Sequence, residues 1–169
     1  MALIVSPTII FAPMNLIANW FFVNWKLNYV LYLAAFLQFV GGWIRVTSFL
    51  TDPGQILPMF LGTLLFFMAN PFILNSISMI ANTWFADNER ARATAIAALM
   101  TPIGCLCGLA LTGVVAHGMV KDDPTECMQR LQTITYIQNF TLTFFCTLLV
   151  VFFKEKPEHP PSQLALTFR

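Results

Sequence analysis

The side chains of this chain best placed for chemistry are uncharged: Asn15, Asn19, Asn70, Asn75 and Thr101, each inside an otherwise apolar stretch. Amides and hydroxyls bind through hydrogen bonds but carry no proton at neutral pH, so they suit recognition better than acid–base work. A polar group among apolar neighbours is costly unless it is paired or faces water. Two readings follow. The plainer is hydrogen bonding between helices, worth about 0.6 kcal/mol per bond on average. The sharper is that these side chains line the path of a solute. Asn15 and Asn19 are four apart and share one helical face. Asn70 and Asn75 do not quite share one, so at most one of that pair serves such a path.

Catalytic patterns are missing. The sequence holds no G-x-S-x-G, H-E-x-x-H, Walker or Gly-rich dinucleotide motif. His117 stands alone near the end of an apolar run and His159 lies in a Pro-rich tail. The carboxylates all fall in polar turns or the tail, leaving no buried acid as a proton carrier. Cys105 and Cys107 are two positions apart, which on a helix points them to nearly opposite sides and is no zinc spacing. Of the other cysteines, Cys127 lies in a polar stretch and Cys146 in an apolar one; no disulfide framework or metal site is implied. Asn139-Phe140-Thr141 matches a glycosylation sequon but sits in mid-run, out of reach. The chain is expected to be no enzyme and to need no cofactor.

The elements carrying these residues are long apolar runs. No charge occurs from Pro53 to Ala86 or from Ala93 to Val120, and between them Asp87, Glu89, Arg90 and Arg92 crowd into a short loop. A soluble helical hairpin would spread charge down one face of each helix. Of the 169 residues 57% are hydrophobic and only 10% charged, with mean hydropathy +0.71; soluble domains carry about 25% charged residues. A soluble Phe-rich helical domain is the competing reading. The charge-free runs exceed the membrane-span threshold of about 18 residues and exclude it. The fold is therefore read as all-α, a polytopic transmembrane helical bundle. A net charge of +1 gives no reason to expect nucleic acid.

Five spans are expected, at about 2–23, 27–50, 56–81, 91–118 and 132–153, forming one membrane domain over 1–153. Residues 154–169 read as a Pro-containing cytosolic tail or linker. Pro7, Pro13, Pro71 and Pro102 fall inside spans, where neighbouring helices can resatisfy the freed backbone; Asn70-Pro71 predicts a kink. Asp52-Pro53-Gly54 is a turn signal. Arg45, near the end of its span, is expected to snorkel to the headgroups. Asp87 is the expected N-cap of the fourth span, with Glu89 in its first turn. The segment from Lys121 to Arg130 is expected to be the largest internal loop. Gly104 and Gly108 form a G-x-x-x-G that lets another helix approach closely.

Alternating loops gather Lys26, Arg90, Arg92, Lys154, Lys156 and Arg169 on one side and Arg45, Lys121 and Arg130 on the other. The positive-inside rule makes the richer side cytosolic and the N-terminus extracytosolic. Apolar from its second residue and without a basic leader, the chain reads as a piece of a longer protein.

Several stretches together resemble the feline leukaemia virus subgroup C receptor-related transporters, a branch of the major facilitator superfamily. The Trp84-Phe85 turn with Glu89, then Ala95-Ile96-Ala97, Gly104 and Gly108, is similar to the loop after helix four and to helix five of that family. Phe72-Ile73-Leu74, Ser78 and Ala81 resemble its helix four, and Gly41-Gly42-Trp43-Ile44-Arg45 the end of its helix three. Lys154-Glu155-Lys156-Pro157 with Pro160-Pro161-Ser162 is similar to the segment after helix six. The resemblance runs in order across nearly the whole chain.

It implies that the five spans are helices two to six of a twelve-helix transporter, a partial N-terminal half whose cavity lies against a second half. Helices two, four and five would face that cavity, making Asn15, Asn19, Asn70, Asn75 and Thr101 the candidates. The implied function is solute transport, with a choline-like amine or haem as cargo. The implied partners are the lipid bilayer, a small solute, and the missing half or other membrane helices. A plasma membrane is expected over an internal one. Two departures stand out. Asn24-Trp25-Lys26-Leu27 keeps one charge where the superfamily's loop has several, and Pro102 stands where choline-transporting members place a glutamine. The alternative is a truncated, non-transporting membrane protein that packs on a partner through Gly104 and Gly108.

Overall fold

A computed structural model describes residues 2–50, 56–117 and 124–153, without the side chains of 2–9, 116 and 124. Five helices follow in order: α1 Ala2–Asn24, α2 Leu27–Leu50, α3 Ile56–Trp84, α4 Arg90–Ala116 and α5 Pro124–Phe152. Among the described residues α2 to α5 are each long and apolar enough to cross a membrane. The 24 residues of α2 rise about 36 Å at 1.5 Å per residue, enough for a hydrocarbon core of about 30 Å. Large apolar side chains stand open to the surroundings all round the bundle, among them Leu16 (73% exposed), Val114 (75%) and Phe152 (73%). Lipid, not water, suits such a surface. The chain is an all-α transmembrane bundle.

The expected turn at Asp52-Pro53-Gly54, the Lys121–Asp123 part of the expected loop, and the tail 154–169 lie outside the described residues.

Three local expectations need correction. The stretch from Pro124 to Arg130 is not loop but the start of α5. Proline at a helix's first position forfeits an N–H that has no partner there anyway. Glu126 in the first turn meets the positive end of the helix dipole and bonds Arg130 one turn on, 2.6 Å away. Second, α4 is capped at Glu89, not Asp87, and without a side-chain cap bond. Asp87 is diverted to the Arg90 guanidinium at 2.7 Å. Third, Arg90 and Arg92 are not loop residues; they form the first turn of α4, while Asp87 and Glu89 remain in the connection. Helix α3 also runs on to Trp84, through the buried Pro71.

The tightest crossing joins α2 to α3. A Cβ at Gly62 would lie 2.5 Å from the Gly41 carbonyl oxygen and 2.8 Å from the Arg45 backbone nitrogen. One at Gly41 would lie 2.8 Å from the Gly62 oxygen. Facing glycines thus let two backbones touch, the usual device where lipid gives helices no hydrophobic reason to associate. On the other side of α3, Met14 and Ala18 of α1, Val30 and Ala34 of α2, and Phe72 form a closed core. Helix α5 lies against α2: Asn139 fills the space where a Gly42 side chain would be, and the Cys146 thiol reaches the Ala35 carbonyl at 3.8 Å.

Helix α4 is the outlier. Nothing comes within 4 Å of a Cβ built at Gly104, Gly108 or Gly113, and Ile96, Leu99, Leu106 and Leu109 are exposed. Within this chain the expected glycine packing face is therefore open. The C-terminal end of α4 is held by Arg130 of α5, which donates to the Val115 and His117 carbonyls at 2.7 and 2.8 Å. Those carbonyls end the helix and lack intrahelical partners, and a cation suits the negative end of the dipole. Arg130→Ala is expected to cost about 1–2 kcal/mol. The check is hydrogen exchange over Gly113–His117, which should quicken while α2 and α3 stay unchanged.

Candidate functional site

Polar side chains within these helices divide by reach. Several threonine and serine hydroxyls turn back on their own helix: Thr63 donates to Met59, Ser76 to Ile73, Thr83 to Met79 and Thr112 to Gly108, all at 2.7–2.9 Å. A short hydroxyl can satisfy itself against the preceding turn. An asparagine has four hydrogen-bonding positions and cannot do so completely.

Three of the five candidates meet. The Asn75 amide nitrogen on α3 donates to the Asn15 oxygen at 2.7 Å and to the Asn19 oxygen at 3.2 Å, both on α1. The four-residue spacing on α1 puts both acceptors on one face, and the core around Ala18 and Phe72 holds that face to α3. Asn15 and Asn75 are half-buried and Asn19 is exposed. The two α1 amide nitrogens and the Asn75 carbonyl keep hydrogen-bonding capacity to offer a guest.

Aromatic rings follow these asparagines in the chain. Phe21 stacks edge-on against Trp20, Trp25 and Phe72, with centroids 5.2, 4.7 and 5.8 Å apart. Trp20 is 58% exposed and Trp25 48%. Indole faces are good partners for an organic cation; Trp20 shares α1 with Asn15 and Asn19, and Trp25 lies one residue past its end.

The remaining candidates go elsewhere. Thr101 lies across the bundle, on the wall of a second cavity. Asn70 is half-buried on α3 and joins neither group. The second cavity, about 610 Å³, is bounded by α2, α3, α4 and α5, and its walls include Arg45, Thr101, Gly104, Gln138 and Asn139. Arg45, five residues from the end of α2, lines this cavity with its Nε buried. Asn139, in the unused sequon, is only 4% exposed. Neither residue stood out in the sequence as part of a site; the one available signal was a strongly polar side chain inside a span. His117 ends α4 as an exposed residue and lends Arg130 its carbonyl, not its ring. Among the described residues no group of His, Cys, Asp or Glu is placed to hold a metal.

Comparison with known proteins then adds a set of relatives. The chain is 31% identical over 154 residues to the choline/ethanolamine transporter FLVCR1 of Felis catus. It is 29% identical over 152 residues to flvcr2b of Danio rerio and 27% over 153 residues to FLVCR2 of Homo sapiens, both also named choline/ethanolamine transporters. Each match covers 90% of this chain but only 27%, 30% and 28% of the respective relative. This chain is similar to the FLVCR transporters. The resemblance carried by its scattered motifs therefore holds across nearly all its length, and the chain spans less than a third of the length of these relatives. No family model matches it.

Proposed function

We propose that this chain forms part of a membrane transporter for a small amino alcohol, choline or ethanolamine. The observation that carries this is the Asn15–Asn19–Asn75 cluster, followed along the chain by Trp20, Phe21 and Trp25, in a protein whose relatives are named for those two solutes. The amides suit the alcohol oxygen and the ring faces suit the ammonium group. Haem is the weaker choice of cargo, because the relatives are named for amino alcohols. Candidate roles for Asn70 and Thr101 are secondary, as neither joins the cluster. On this reading residues 1–153 act as one multi-pass domain in the plasma membrane with a cytosolic tail, and a second wall completes the path. Alternating access would come from rocking one half against the other.

The test is a chimera in which residues 10–153 of this chain replace the matching segment of the cat FLVCR1. Surface-biotinylated chimera that takes up labelled choline or ethanolamine supports the proposal. Surface chimera without uptake of either overturns it.

A second reading is favoured by one observation, the open glycine face of α4. There the chain would serve as a helix-packing subunit on Gly104 and Gly108 without moving a solute. Gly104→Leu would then abolish partner association yet leave the chimera's uptake unaffected.

A further inference from the structure

Arg45 poses a separate question. Its Nε is buried and finds no acceptor, and the Oδ1 of the buried Asn139, on the wall of the same cavity, finds no donor. Among the described residues no carboxylate is paired with Arg45 either. Helices α1 to α4 contain no carboxylate, and the one acid of α5, Glu126, is held by Arg130. An arginine inside a membrane span normally pairs with an acid or serves a polar site, and a buried hydrogen-bonding group left alone costs about 1–3 kcal/mol. Gln138, Thr101 and Thr135 add polar groups to the wall, while Phe66 and Phe145 supply apolar surface.

We infer that this cavity binds a small amphiphilic anion that also carries a hydroxyl or ammonium donor. The acid group pairs with Arg45 and the donor meets the Asn139 carbonyl. Such a molecule matches the two orphaned groups in sign and type, and its apolar body fits the phenylalanine walls. The inference does not depend on the amino-alcohol reading, because the amide cluster lies between α1 and α3 and shares no residue with this cavity. A free choline cation would be repelled here. The same chemistry could arrive as a dissolved hydroxy or amino acid or as a zwitterionic lipid headgroup.

The experiment is equilibrium binding of tritiated mandelate, which has a carboxylate, a hydroxyl and a ring, to the purified chain in phosphatidylcholine nanodiscs. Saturable binding is expected, weakened about tenfold or more by Arg45→Gln and partly kept by Arg45→Lys. Benzoate, lacking the hydroxyl, should bind less well, and Asn139→Leu should erase that preference. Cys105 lines the cavity and reports location. With the other three cysteines changed to serine, mandelate at ten times its Kd should slow maleimide labelling about tenfold. Loss of mandelate binding when the discs are doped with phosphatidylethanolamine identifies a lipid headgroup as the source, and unaltered binding identifies a solute. No saturable binding, or equal binding by wild type and Arg45→Gln, overturns the inference.

Discussion

Gly62→Ala should destabilise the bundle by about 1–3 kcal/mol, and Gly62→Val by more, because overpacking forces backbones apart. A Cβ there would meet the Gly41 carbonyl oxygen and the Arg45 nitrogen, both main-chain atoms that no rotamer change can move. At about 2–4 °C per kcal/mol for a chain of this size, the alanine variant should lose several degrees of melting temperature. The valine variant should fail to give a monodisperse peak in detergent. Gly108→Ala is the paired control. Nothing lies within 4 Å of a Cβ at that position, so its melting temperature should match the wild type. Equal losses at Gly62 and Gly108 would refute the assignment of the α2–α3 crossing as the tight one.

Asn75→Leu, placed in the chimera, is expected to lower amino-alcohol uptake at least about tenfold, since it removes a donor to two acceptors and leaves both unpaired. Structural and recognition roles separate by kinetics. Asn15–Asn75 coupling measured by a double-mutant cycle should be about 0.6 kcal/mol and no more than about 1.7. If the cluster only ties α1 to α3, Asn19→Ala should lower stability and leave KM unchanged. If it holds the cargo, as proposed, Asn19→Ala should raise KM severalfold with little change in melting temperature, because Asn19 is exposed and its bond to Asn75 is the longer one at 3.2 Å. Unchanged KM in Asn19→Ala together with unchanged uptake in Asn75→Leu would remove the cluster from the transport path.

The bundle itself was legible in the residues. Charge-free runs between polar junctions mark membrane helices without any need of periodicity, and the helices begin or end within a few residues of those junctions in α1 to α4. The beginning of α5 was not. Lys121 to Arg130 is polar enough to read as loop, and the Glu126–Arg130 pair that supports the helix from Pro124 on is a matter of i,i+4 geometry. The shared face of Asn15 and Asn19 followed from spacing alone. That Asn75, and not Asn70, completes their cluster did not, because it depends on how α3 is rotated against α1.

This is the general division for this protein. Composition and charge placement determine that the chain is helical, that it lies in lipid and about where each helix stops, since those are properties of single segments. Which faces meet is decided only by the assembled bundle. A soluble amphipathic helix announces its inward face by a polar stripe on the other. Helices apolar all round carry no such stripe, and close packing of small residues selects among many similar faces. Hence Gly41 and Gly62 form the contact while Gly104 and Gly108 stay open. That Arg45 and Asn139 line one cavity likewise depends on how α2 and α5 are set against each other.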